Sequence, residues 1–180
     1  MKPHYRFLPT VFIVMLLFTG NINWVRHDNG DKWNGTVSFI ISDTGPDIVT
    51  SEWRMDGTFR NSIGPVVHSA KYLSKDDEGE IRKNCSTTSE GRLEIDLDEI
   101  KGLYTIIVRG VRDCEGTAVE YGVTKAFSMP GGDTAIFIPN QPLGHDHNSL
   151  TGSINYKEGP HERGIRQSNI FKWNLVKAPE

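Results

Sequence analysis

The chain has 180 residues with 20 Lys+Arg against 23 Asp+Glu, a formal net charge of −3. Hydrophobic residues make up 37% and charged residues 24%, enough apolar material for one globular domain and too little net charge for a disordered one. No basic cluster of the kind that neutralises phosphates is present, which argues against a nucleic-acid binder.

The chain opens on Lys2, His4 and Arg6, followed by a nearly unbroken apolar run over 10–18 and then Thr19 and Gly20. A cationic start and a short apolar run are the pattern of a secretory signal, and the run is short for a membrane-spanning helix. Residues 1–20 are therefore expected to be a signal peptide. The alternative is an uncleaved N-terminal anchor helped by Trp24 and Val25, and contact with a membrane is expected only in that case. Either reading exports the body, 31–180, to a secreted, periplasmic or extracellular location.

From residue 31 onward the dominant period is two. Trp33, Gly35, Val37, Phe39 and Ile41 alternate with mostly polar residues, as do Trp53, Met55, Gly57 and Phe59. Side chains alternate across a strand, so both stretches predict half-buried β-strands. Further strands are expected over 66–72, 93–97, 103–109, 119–127, 134–138, 150–156 and 170–176. Turn signals separate them, among them Asp43-Thr-Gly-Pro46, Lys101-Gly102 and Pro130-Gly-Gly132. About nine short strands with regular punctuation predict an all-β, antiparallel sandwich or up-and-down barrel in one domain. The opening Trp33-x-Gly35 and the closing strand with Trp173 resemble up-and-down barrels of the lipocalin and avidin kind, although lipocalins carry Gly-x-Trp in that order. The resemblance implies a fold and assigns no site residue.

Two hairpins can be registered from the pattern. Leu150, Gly152 and Ile154 are expected opposite Leu175, Trp173 and Phe171, with Gly152 leaving room for the indole. Leu93 and Ile95 are expected opposite Ile106 and Tyr104. Extended outward, with Gly91 as a possible break, the second register sets Cys85 opposite Cys114. The only two cysteines of an exported chain are then expected to form a disulfide.

The candidate chemistry is sparse. "GHDHNS", residues 144–149, places His145 and His147 in a turn. A divalent transition metal would need a third ligand, for which His161 in the 158–167 loop is the first candidate and His68 or Asp133 the others. His68 alternates with Val66 and Ala70, so it is expected to be a strand residue hydrogen-bonded in place. Glu94, Asp96 and Asp98 alternate with Leu93, Ile95 and Leu97, the outward face of a strand. Trp33, Trp53 and Trp173 share parity with apolar neighbours and are expected in the core rather than as sugar-stacking platforms. Asn34 and Asn84 match the N-glycosylation pattern, which applies only in a eukaryotic host. No G-x-S-x-G or H-E-x-x-H appears, so no catalytic residue is assigned.

The function expected is a secreted, non-enzymatic binding module without a cofactor. It would engage a protein, a carbohydrate or a small ligand through the loops 139–149 and 158–167. Two other readings stand beside it. One is a metal-dependent enzyme built on His145, His147 and His161, and the other a structural or adhesive component of the cell envelope.

Overall fold

The computed structural model describes residues 31–160 and 164–179. Ten antiparallel strands form a single sheet: β1 (Trp33–Gly45), β2 (Ile48–Phe59), β3 (Ile63–Asp76), β4 (Gly79–Asp98), β5 (Leu103–Val111), β6 (Cys114–Glu120), β7 (Val123–Met129), β8 (Asp133–Pro142), β9 (Ser149–Glu158) and β10 (Arg166–Lys177). The leader and His161 lie outside the described residues. Among the described residues, no helix is long and apolar enough to cross a membrane.

The topology simplifies once β4 is followed along its length. One edge pairs with β3 throughout. On the other edge, β5 and β6 pair in a single register, Arg92↔Arg109 and Ile81↔Glu120. So β6 continues β5 after a break at Arg112 and Asp113. Strands β7 and β8, which pair with β6 and β5, are interrupted at the matching place, Pro130 to Gly132. The ten strands thus form eight runs of an up-and-down meander. The first strand, β1, pairs with the last, β10, over its full length. Successive strands β8 and β9 are not paired, which leaves a seam.

The sheet curls around one core. Strands β5 and β10 are far apart in sheet order, yet Trp173 Nε1 donates to Tyr104 Oη across the interior at 2.8 Å. Trp33, Val37, Met55, Leu93, Ile106 and Leu175 are buried around that bond. Their alternating burial along each strand is the period read in the sequence. The sheet curls on itself as an open barrel or sandwich does, with β8 and β9 unpaired to each other, and its inner face is filled by this core.

The β9–β10 register is the expected one, with Trp173 opposite Gly152. A Cβ at Gly152 would lie well inside van der Waals contact distance of the indole Cζ2, so the glycine makes room for the ring. Three expectations need correction. Leu93 faces Val108 and Ile95 faces Ile106, two residues from the expected pairing. Asp98 Oδ1 accepts from Lys101 N at 3.0 Å and Gly102 adopts φ +64°, which moves the turn by one residue and the register by two. A shift of two keeps every side chain on its face. Second, β4 does not break at Gly91 but runs through it for 20 residues. Third, 119–127 is a hairpin rather than a strand, turning at Tyr121 (φ 51°) and Gly122 (φ 82°). Two positive φ values in succession define a two-residue hairpin turn whose twist matches its strands.

Cys85 and Cys114 form a disulfide with Cα atoms 5.5 Å apart. The corrected register places Cys85 opposite Gly116, so the bridge is diagonal. Gly116 permits it: a Cβ there would collide with the Asn84 carbonyl, so only glycine lets β6 lie this close to β4. The disulfide lies in the interior wall, where both cysteines are buried.

Candidate functional site

Polar atoms buried without a partner are rare in folded proteins, and each invites an explanation. Among the described residues, four buried side-chain atoms lack any hydrogen-bond partner: Trp53 Nε1, His68 Nδ1, His68 Nε2 and Arg112 Nε. All four belong to three adjoining side chains. The Trp53 and His68 ring centroids are 5.8 Å apart, and the Arg112 guanidinium carbon lies 5.8 Å from the centre of the Trp53 ring. This is a cation–π contact.

Each side chain is placed by a separate feature of the fold. Trp53 follows the inward period of β2, two residues before buried Met55. His68 follows that of β3, two residues after buried Val66, and is 0% exposed. Its Nε2 approaches Gly110 on β5, where a Cβ would lie 3.5 Å away. Arg112 occupies the break between β5 and β6 and packs against Gly131 in the matching break. Trp53 and Arg112 are half-buried, so the outer wall of the cluster reaches the surface.

The electrostatics follow from this placement. Burial, and secondarily the charge of Arg112, push the His68 imidazole down to about 4, so it is neutral at physiological pH. Arg112 makes no ion pair within 4 Å among the described residues. Its sequence neighbour Asp113 is occupied elsewhere, accepting from Gly131 N at 2.6 Å and Gly132 N at 2.8 Å. These amides, Gly131 first, hold the Asp113 carboxyl below the usual carboxylate range. The contrast with Trp173 is informative: the fold supplies Tyr104 Oη to that indole and nothing to the indole of Trp53.

The cluster adjoins the packed core, in which Phe39 and Phe171 are each 7% exposed. A run of rings leads toward the seam: Trp53 meets Phe39 edge-on at 5.2 Å, Phe39 stacks on Phe171 at 4.4 Å, and Phe171 stacks on Tyr156 at 6.1 Å. Tyr156 lies on the unpaired edge strand β9 and is 42% exposed. Beside the rings, Asp43 accepts from Ser51 Oγ at 3.1 Å and Gln167 Nε2 at 3.0 Å, and Gln167 accepts from Asn169 Nδ2 at 3.3 Å.

The histidines singled out in the sequence are dispersed. His145 and His147 stand in the exposed 143–148 turn, where Asp146 Oδ1 accepts from Asn148 N at 3.0 Å and His147 Nδ1 lies 3.9 Å from Glu99 Oε1. That turn leaves one end of β9. The segment that contains His161 joins the opposite end, flanked by Glu158 and Gly164, so the loops 139–149 and 158–167 do not share an end of the barrel. Asp133 begins β8, a strand's length from His145, and His68 is interior. Among the described residues, no group of three or more His, Cys, Asp or Glu is placed to hold a metal ion. His68 is a strand residue as expected, but it has no hydrogen-bond partner within the chain: the Ser89 hydroxyl is engaged with Val111, and Thr87, opposite on β4, makes no bond to the ring.

The other marked residues behave as the pattern implies. Trp33 and Trp173 are buried, and Trp53 packs against the same core. Glu94 accepts from Arg109 Nε at 3.0 Å and Asp98 pairs with Lys101 at 2.7 Å, so two acids of the outward stripe are already paired. Asn84 is exposed, whereas Asn34 Oδ1 accepts from Asn61 N at 2.8 Å. A shallow groove of about 640 Å³ on the outer face, bordered by Ile63, Arg92 and Arg109, contains none of the unpartnered atoms.

Comparison of the chain with protein-family models, with curated proteins and with solved structures gives no match. The site is therefore read from its own chemistry.

Proposed function

We propose that the protein is an exported, non-enzymatic binding module that holds a small ligand against the inner face of its open barrel. Trp53, His68 and Arg112 are the recognising side chains, and the rings from Phe39 to Tyr156 form the apolar floor. The observation that carries this reading is the concentration of all four unpartnered buried atoms in one cluster. Each such group costs about 1–3 kcal/mol when left unpaired. A fold stable by only about 5–15 kcal/mol has little room for that loss unless binding recovers it. The disulfide and the signal-like leader support export, since disulfides persist in oxidising compartments.

The reading is tested with N-phenyl-1-naphthylamine, a neutral aromatic probe whose emission rises when it leaves water. Saturable binding at one site per chain is expected, weakened about tenfold by Trp53→Ala, which removes the central ring. Emission that fails to saturate, or that Trp53→Ala leaves unchanged while the variant stays folded by circular dichroism, would place any binding elsewhere.

A further inference from the structure

Every polar function the cluster offers can be sorted into donors and acceptors. The indole Nε1–H and the guanidinium Nε–H only donate, and a neutral imidazole contributes one donor and one acceptor. Three donors against one acceptor means that the missing partner is a group rich in lone pairs. One of the donors belongs to a fixed positive charge that has no carboxylate within 4 Å among the described residues. Asp113, the nearest acid in sequence, is tied to the Gly131 and Gly132 amides. Asp43, the acid of the interior network, is tied to Ser51 and Gln167. Asp113 feels the Arg112 charge at a distance, but neither acid hydrogen-bonds the guanidinium.

We infer that the group recognised by Trp53, His68 and Arg112 is the carboxylate of an aromatic or otherwise apolar acid. Resting on the binding reading above, it deepens that reading by naming the ligand's chemical class. A carboxylate has two oxygens with about four acceptor sites, which suits several convergent donors. A guanidinium presents its donors as a planar fork that matches a carboxylate edge. Charge-assisted bonds of this kind are shorter and stronger than neutral ones. The apolar body of the acid would lie toward Tyr156, the exposed end of the ring run that passes through buried Phe39 and Phe171.

The size of the site is bounded by the same atoms. Arg112 and Trp53 are half-buried, so the guanidinium and the indole bound the site on the side away from Tyr156. A metal cation is disfavoured, because two of the three side chains offer no lone pair. A neutral alcohol could satisfy one donor and would leave Arg112 uncompensated.

The test compares 2-naphthoate with its neutral isostere 2-naphthamide by titration calorimetry on the disulfide-bonded protein. At neutral pH the acid is expected to bind about ten- to a hundredfold more tightly, the range of a hydrogen bond to a charged partner. Arg112→Met should abolish that preference by weakening the acid at least about tenfold more than the amide, because only the acid pairs with the guanidinium's charge. Arg112→Lys, which keeps the charge and loses the fork, should fall between them and guards against a folding defect in the methionine variant. Equal affinities for acid and amide in the unaltered protein would overturn the carboxylate assignment and leave the binding reading standing. No binding of either probe would overturn both.

Discussion

Acidification from pH 7 to pH 5 is expected to cost this protein stability well above the range in which its carboxylates titrate. His68 is 0% exposed and its folded pKa lies near 4, with burial the main cause and Arg112 the second. In the unfolded chain the same imidazole titrates near its ordinary value of about 6.5. Between those values the unfolded state binds a proton that the folded state refuses, so stability falls as pH falls through this window and levels off below about 4. The full loss amounts to roughly 3 kcal/mol, a large part of a typical domain's stability. Carboxylates act lower on the scale. Lys75, Lys101, the Gly131 amide and Lys125 hold Glu80, Asp98, Asp113 and Glu120 below their usual range, so their contribution is lost later in acidification. Urea unfolding at pH 7.5, 6.5, 5.5 and 5.0 reads the slope. In His68→Met, similar in size and without a titrating group, the part of the slope due to His68 should vanish. An unchanged slope in that variant would mean that His68 is solvated or paired.

The second large effect is loss of the disulfide. Cys85 and Cys114 are separated by 29 residues, and the covalent loop they close includes the turn between β4 and β5. Opening a loop of that length raises the entropy of the unfolded chain by the equivalent of roughly 3–4 kcal/mol. Cys85→Ser with Cys114→Ser should therefore lower the unfolding free energy by about that amount, with a further cost because two hydroxyls replace sulfurs that are 6% and 2% exposed. The loss should appear as a lower denaturant midpoint with a somewhat steeper slope, because the unfolded chain without the cross-link exposes more surface. The effect should also be local. Strand β6 is held to β4 by the bridge and by Gly116, and β7 pairs in the sheet with β6, with Lys83 of β4 over its Phe127 ring. Amides of β6 and β7 should thus lose exchange protection before those of β1 and β10. A midpoint within experimental error of the unaltered protein would show that strand pairing alone fixes this corner.

The sequence is legible where one face of a strand is apolar, and illegible where neither face is. Trp33, Val37 and Phe39, or Leu175, Trp173 and Phe171, announce both strand and face, and the β9–β10 register follows because Gly152 must face the indole. The first half of β4 reads differently. Its inward residues are Ile81, Lys83, Cys85, Thr87, Ser89 and Gly91, which make no period-two pattern, although they line the interior beside His68. The Tyr121–Gly122 turn is hidden because Val119 and Val123 flank it and read as one strand. The β4–β5 register depends on the Asp98 side chain reaching Lys101 N, a contact that no periodicity reports.

The candidate site was half legible for the same reason. Parity placed Trp53 and His68 inside. That they would lack partners depends on what lies across from them, which is tertiary information. Arg112 sits in a break between strands, where pattern carries no signal, and its role depends on Asp113 turning to the Gly131 and Gly132 amides. The His145–His147 pair stood out because histidines are conspicuous in a sequence. The loop that contains them is pinned to its surroundings by ordinary turn bonds, with Lys177 N donating to Asn148 O at 2.8 Å and Leu143 N to Gly102 O at 2.8 Å.

The most direct measurement is a ¹⁵N–¹H correlation spectrum recorded while 2-naphthoate is added. The Trp53 indole N–H, the Arg112 Nε–H and the amides of Gly110 and Gly131 should shift together along one saturating curve, with the Trp173 indole, already bonded to Tyr104, moving least among the side-chain signals. Shifts confined to residues 143–149, or to the residues flanking 161–163, with the Trp53 and Arg112 signals unmoved, would contradict an interior site and return recognition to the loops.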